Sequence, residues 1–227
     1  MTIQPSKHAL RVREKLLDSG AANLSDTELL AVFISSGNAK KSCVQLAHDL
    51  LKHFGNLRAV LTTDLKTFQQ IPGFGLVRFA QLQAAQEICR RSDFTSLQKE
   101  TQLTNPKQTS IFLKRQLRDK KNETFAALFL DSQYRVLTYE ELFTGTINTS
   151  SIHLRPIIER ILKLNAAAII VAHNHPSGLS NASPQDIVVT ERLQEALDLI
   201  DVQLLDHFVI GDNEVYSIKH HTKWRCN

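Results

Sequence analysis

The chain has no apolar run approaching the roughly 20 residues that a bilayer-spanning helix needs. Its opening residues, Met1-Thr2-Ile3-Gln4-Pro5-Ser6-Lys7-His8, hold no apolar segment of the secretory kind. A membrane protein is therefore not expected. Cysteine is scarce: Cys43, Cys89 and Cys226 are odd in number and far apart, and none forms a Cys-x-x-Cys pair. That count argues against a disulfide framework and a thiolate zinc ribbon, and the three read as reduced thiols of a cytoplasmic protein. Any zinc site must rest on histidine and carboxylate. Internal repeats and low-complexity tracts are missing as well.

What is present suits two globular domains. The 227 residues are 42% hydrophobic, enough for a real core, and 22% charged, ordinary for a soluble protein. The net charge of +4 is unevenly placed: residues 1–102 hold 13 Lys/Arg against 9 Asp/Glu, and the remainder hold 14 against 14. A basic excess confined to the first part fits either an anionic partner there or a solvated helical surface.

From Arg11 to about Arg91 the pattern is helical. Arg11-Val12-Arg13-Glu14-Lys15-Leu16-Leu17 opens it and Gly20 closes the first segment. Ser25 with Glu28 three residues later predicts a capping box, with Leu24 placed for a hydrophobic staple. Ser42 caps a further helix whose apolar face is Val44, Leu46, Ala47, Leu50 and Leu51, ended by Gly55. Then comes Ile71-Pro72-Gly73-Phe74-Gly75-Leu76-Val77-Arg78, which resembles a helix-hairpin-helix module. Two glycines permit a tight turn, and N–H groups at the following helix start can meet a DNA phosphate without reading sequence. Gly73, Gly75 and Arg78, with Arg90 and Arg91, are the residues for such a contact. The same glycines equally serve a scaffold in which two helices pack closely.

A polar stretch from about Ser92 to Gln108 predicts an exposed connection, dividing the chain into residues 1–102 and 103–227. The second part changes period. Thr124–Leu130 and Arg135–Phe143 read as a hairpin around Asp131-Ser132-Gln133, with Gly145 and Asn148 as breaks. Helices are expected around Ser110–Leu117, Pro156–Leu162 and after Asp186, and strands at 167–172, Leu204–Ile210 and Val215–Ser217. Strands flanked by helices predict a three-layer α/β domain behind an all-α one.

The chemistry concentrates at Val171-Ala172-His173-Asn174-His175-Pro176-Ser177-Gly178, behind the unbroken apolar run Ala166–Val171. Side chains two apart on a strand share a side, so His173 and His175 face together and Asn174 faces away. Two neutral imidazoles are two legs of a tetrahedral zinc site, and a catalytic zinc takes three protein ligands and leaves the fourth position to water. Asp186 is a candidate third leg. Ser183-Pro184-Gln185-Asp186 is also a good helix start, with Ser at the N-cap, Pro next and an acid at the third position. A base is needed to take a proton from the water, and Glu140 or Glu141, at a strand end, is the candidate. Alternation says only that one of them faces the site. His207, beside Asp206 in an apolar strand, reads as a structural histidine or an orienting partner of a ligand. His220 and His221 read as surface residues.

His-x-His, then Ser and Asp at this spacing, resembles the JAMM motif of the MPN metallopeptidases, and His173–Gly178 resembles its RadC branch. The resemblance covers nearly the whole chain, with the motif as its specific part. It departs at Val12, where a proline is expected, a change at a helix start. It implies a mixed central sheet between helices, one Zn2+ held by His173, His175 and Asp186, and Glu140 rather than Glu141 as general acid/base. It also implies that Ser183 stabilises the oxyanion formed on an amide carbonyl. The reading is thus a cytoplasmic zinc metallopeptidase or isopeptidase with a protein or peptide substrate. Its rival is a DNA-associated accessory protein that binds through the hairpin and keeps a structural or vestigial metal site. A nucleoside deaminase is disfavoured because the Pro-Cys-x-x-Cys ligand pair is missing.

Overall fold

The computed structural model describes residues 7–99, 103, 105–145 and 153–225; Cys226 and Asn148 lie outside them. The chain forms two compact units, Met1–Cys89 and Arg90–Asn227.

The first unit is helical: α1 (Lys7–Ser19), a single 3-10 turn at Ala21–Asn23, α2 (Asp26–Ile34), α3 (Cys43–Phe54), α4 (Leu57–Thr62), α5 (Leu65–Phe68) and the start of α6 (Leu76–Gln98). Local polar chemistry sets the starts. Ser25 Oγ accepts from the Glu28 N–H at 3.3 Å while the Glu28 carboxylate accepts from the Ser25 N–H at 2.8 Å, and Ser42 and Gln45 repeat the arrangement before α3. The Lys15 ammonium and these cap donors hold the Glu28 carboxyl down at about 2. Leu30, Ile34, Leu46, Leu50, Phe68 and Phe74 then close one core.

The hairpin before α6 is bound from within. Gly73 takes φ 94°, and a Cβ there would lie 3.3 Å from both the Asn38 and Leu46 side chains. Gly75 needs no such freedom: its φ is not positive and a Cβ would meet nothing within 4 Å. Arg78, considered above for a phosphate contact, donates to the carbonyls of Gly73 and, at 2.7 Å, of Ser36, with its guanidinium 5.5 Å from the Phe74 ring centre. It therefore ties the turn to the end of α2.

The second unit begins in α6 and continues through α7 (Pro106–Leu117), β1 (Thr124–Leu130), β2 (Val136–Thr144), α8 (Leu154–Leu164), β3 (Ala168–Asn174), α9 (Pro184–Asp198), β4 (Gln203–Ile210), β5 (Glu214–Ser217) and β6 (Thr222–Arg225). The polar stretch expected as a connection from Ser92 is helical as far as Gln98. Phe94 and Leu97, at helical spacing, put one apolar edge on the core. The short α4, α5 and β6 fall below the length at which periodicity registers.

The six strands form one mixed sheet in the order β2-β1-β3-β4-β5-β6, with β3 and β4 parallel and every other neighbouring pair antiparallel. On one face Ala126, Leu128, Ala172 and Phe208 pack under Phe112, Leu113 and Leu117 of α7. On the other Phe125, Ala127, Ile169 and Val171 pack under Ile157 and Ile161 of α8 and Val189, Leu193 and Leu197 of α9. The neighbouring interior strands β1 and β3 are buried along their whole length, so β3 reads as a continuous apolar run instead of an alternation. Helices cover both faces, which gives the three layers.

Gly73→Ala is expected to destabilise the protein by about 1–2 kcal/mol, the usual cost of a side chain in left-handed backbone. Gly75→Ala should unfold with wild-type behaviour. Denaturant melts of the two variants check this, and equal losses would contradict the geometry.

Candidate metal centre

Three elements deliver the site. The last turn of β3 ends in His173, fully buried, and Asn174; His175 follows immediately. Asn174 faces away from the histidines, as alternation requires: its Oδ1 accepts from the Thr124 N–H at 2.8 Å and its Nδ2 donates to the carbonyls of Lys120 and Asn122. That anchors the loop leading into β1 to the strand that carries the imidazoles.

His175 is held by the turn after it. Gly178 takes φ 81°, and a Cβ there would come 2.7 Å from the Asp212 carboxylate. Gly178 and Asp212 are joined by a backbone hydrogen bond of 2.9 Å, and the His175 N–H donates to the Ile210 carbonyl at 3.0 Å. The tight turn brings the Leu179 carbonyl to 3.0 Å from His175 Nδ1. That ring nitrogen faces a pure acceptor, so it carries the proton.

α9 brings the carboxylate. Ser183 is its N-cap and Pro184 its first residue. Ser183 Oγ accepts from the Asp186 N–H at 3.2 Å, and Asp186 Oδ2 accepts from the Ser183 N–H at 2.7 Å and its hydroxyl at 2.8 Å. The other oxygen, Oδ1, lies 3.2 Å from His173 Nε2. Asp186 is thus helix cap and partner of the imidazoles at once. His173 Nε2 and His175 Nε2 are 3.0 Å apart, and one ligand atom from each of His173, His175 and Asp186 falls within 4.8 Å of the others.

The electrostatics follow from that crowding. Burial works to raise the Asp186 carboxyl, but the His173 and His175 imidazoles against it and the Ser183 N–H outweigh it and hold the group well below the usual carboxylate range. Asp186 in turn raises the His175 imidazole, against the opposing effect of burial.

The two glutamates separate cleanly. Glu140 pairs with Ala127, which pairs with Val171, so Glu140 lies on the same face as His173. There the Arg160 side chain of α8 grips both carboxylate oxygens, at 2.9 and 2.8 Å from Nε. Glu141 points to the opposite face, where Lys120 donates to it at 2.7 Å. Glu140 is not one of the three clustered ligands; it stands two strands away on their side of the sheet.

His207 is fully enclosed beside them, but its neighbour Asp206 does not orient it. Asp206 points to the other face and accepts from Ser217 Oγ and from the His207 backbone N–H. The imidazole instead contacts His173 Nδ1 at 2.8 Å and Thr190 Oγ1 at 2.6 Å. Thr190 and Arg160 are absent from the sequence-based set. Thr190 stands four residues after Asp186, on one helix face with it, which is the signal that could have located it. Arg160 offered no signal beyond being one cation on an amphipathic helix.

A mixed sheet between helices, with a His-x-His strand end meeting a Ser-capped helix and its Asp, defines an MPN-type domain. The match to known families agrees with that class. Residues 103–223 match the RadC-like JAB domain and residues 3–80 the UPF0758 N-terminal domain. A UPF0758 protein of Legionella pneumophila (strain Corby) is 65% identical over all 227 residues, covering 100% of both chains. Relatives of the same name from Pseudomonas savastanoi pv. phaseolicola and Halorhodospira halophila are 49% and 48% identical over 218 residues, 96% of this chain and 97% of each relative. The chain belongs to the UPF0758 family, with its RadC-like JAB domain.

The raised His175 imidazole has a definite pH consequence in metal-free protein. A folded value above the unfolded one contributes stability that is present below the ordinary histidine range and is lost as pH rises through the raised value. Melts with chelator present should show that loss, and His175→Ala should remove it.

Proposed function

We propose that this chain is a zinc-dependent hydrolase of the JAMM type that cleaves an amide or isopeptide bond in a protein or peptide. The observation carrying the reading is the direction of the lone pairs. The Leu179 carbonyl can only accept, so it takes the Nδ1 proton of His175, and the neutral ring turns a bare Nε2 towards His173 Nε2 and the ionised Asp186. Two imidazole nitrogens and one carboxylate oxygen form a donor set that fits zinc and leaves a tetrahedral site one open position. Among the described residues no thiolate joins them. His173, His175 and Asp186 would hold the ion, which when bound supplies Lewis acidity and activates water.

The remaining residues have separable work. Glu140, on the histidine side of the sheet, serves as the general acid/base that takes a proton from the attacking water and returns it to the leaving amine. Arg160 grips and orients its carboxylate. Ser183 is the proposed oxyanion donor. Its proton now goes to Asp186 Oδ2, so donation to substrate requires the hydroxyl to rotate away from the cap, while Asp186 retains the Ser183 N–H bond.

The setting proposed is cytoplasmic: Cys43 and Cys89 are free thiols, one buried and one exposed, and no described helix is long and apolar enough to cross a membrane. The DNA-binding alternative draws little from Arg78, whose guanidinium is already engaged by two carbonyls. A hairpin contact with DNA would fall to the N–H groups at the start of α6.

Elemental analysis of purified protein should find about one zinc per chain, the stoichiometry of a single three-ligand site. His175→Ala should lose it. Glu140→Gln should keep the zinc and lose peptide-bond cleavage, by about a hundredfold or more if proton transfer is its role. Zinc-free wild type, or a Glu140→Gln enzyme of undiminished rate, would overturn the reading.

A further inference from the structure

His173 reaches the metal side of the site through one ring nitrogen and α9 through the other. The second connection is a closed chain of three hydrogen bonds. Thr190 Oγ1 lies 2.6 Å from the Asp186 carbonyl oxygen and 2.6 Å from His207 Nδ1. His207 Nε2 lies 2.8 Å from His173 Nδ1. Thr190 is 6% exposed, His207 1% and His173 0%, so water does not compete for these contacts.

Each proton in this chain is assigned by its neighbour. A carbonyl oxygen has no proton to give, so Thr190 donates its single hydroxyl proton to Asp186. The Thr190 oxygen can then only accept from His207 Nδ1, which must carry the proton of that ring. The His207 ring is enclosed, and its two nitrogens meet only a hydroxyl and another imidazole with no carboxylate against either, so the ring is neutral and its Nε2 is an acceptor. His173 Nδ1 must therefore donate to it. With the ring proton placed at Nδ1, His173 Nε2 is bare. The reverse polarity would put the proton on Nε2, 3.2 Å from Asp186 Oδ1 and 3.0 Å from His175 Nε2, where it would occupy the place of a metal; the chain through His207 and Thr190 opposes that arrangement.

We propose that His207 and Thr190 are positioning residues that lock His173 in the tautomer whose Nε2 lone pair points at the metal site. The lock starts on the backbone of one ligand, Asp186, and ends on the ring of another, His173. It links α9, β4 and β3, so it holds the helix-borne ligand and the strand-borne ligand in one register. The tautomer assignment stands on the hydrogen bonds and the enclosure of His207; its consequence for metal affinity rests on the zinc reading above. Outer partners of metal-bound histidines act in this way by fixing tautomer and ring orientation.

The experiment has two arms on the full-length chain. In zinc-free, 15N-labelled wild type at mildly alkaline pH, long-range 1H–15N correlation spectra report the tautomer of each histidine. His173 and His207 should both be Nδ1-protonated, and a proton on His173 Nε2 would overturn the proposal. In the second arm, zinc affinity is measured by competition with a chromogenic chelator for wild type, Thr190→Val and Thr190→Ser. Thr190→Val keeps the shape and removes the hydroxyl, and should weaken zinc binding by about 10–100-fold. Thr190→Ser restores the hydroxyl and should return close to wild type. Equal affinity in Thr190→Val and wild type would refute the lock, as would failure of Thr190→Ser to recover binding while its melt matches wild type. A wild type that takes up no zinc would remove the metal reading, and the tautomer spectrum alone would then uphold or overturn the chain of protons.

Discussion

The site depends on one carboxylate having two oxygens. Asp186 Oδ2 closes the capping box of α9 with the Ser183 N–H and hydroxyl, and Oδ1 meets His173. A cap of this kind contributes of the order of 1 kcal/mol to a helix. Here it also sets the aim of the carboxylate, because the geometry that satisfies the orphan N–H of Ser183 points the second oxygen at the end of β3. Cap and ligand are alternatives for a residue considered alone, whereas in the fold each use fixes the other. A carboxylate this enclosed is stable only with donors or a cation around it; the cap donors meet that need at Oδ2, and Oδ1 is left facing the imidazoles.

The order of strands follows from the same requirement. β3 lies in the interior of the sheet, between β1 and β4, so its end is framed from both sides. Asn174 ties it to the loop before β1, the His175 N–H ties the next residue to β4, and His207 of β4 touches the ring of His173. An edge strand would have one such neighbour. The clustered imidazoles are therefore carried by backbone with few ways to move, and the turn at Gly178 adds the Leu179 carbonyl that orients His175.

Much of this was legible because it is written in local chemistry. The apolar run before His173, the period of two between the histidines, and the Ser-Pro-x-Asp helix start each use contacts within a few residues, and the structure places a strand and a helix there. What was not legible depends on pairs distant in the chain. Asp206 was the sequence neighbour of His207, but adjacent strand residues point to opposite faces, and the ring found Thr190 and His173 instead. Arg78 looked like a free cation beside a hairpin; only the fold shows the Ser36 carbonyl 42 residues away that receives it. The polar stretch after Ser92 hid a helix because two apolar residues, Phe94 and Leu97, suffice to seat its last turns.

The choice between Glu140 and Glu141 shows most sharply why pattern alone stops short. Phe143 pairs with Phe125 and lies on the histidine face, so counting back by two along β2 would assign Glu141 to that face as well. The pairing between β1 and β2 skips a residue: Phe125 meets Phe143, but Ala126 meets Glu141, leaving Leu142 unmatched. One extra residue in a strand inverts the facing of everything before it. Glu140 is thereby turned to the side of His173 and Arg160, and Glu141 to the side of Lys120. A bulge carries no residue signature in this stretch, since Leu142 would fit a regular strand equally well. The resemblance to a known motif selected Glu140 by its place in a string; the register decides only which of the two glutamates shares the face of His173.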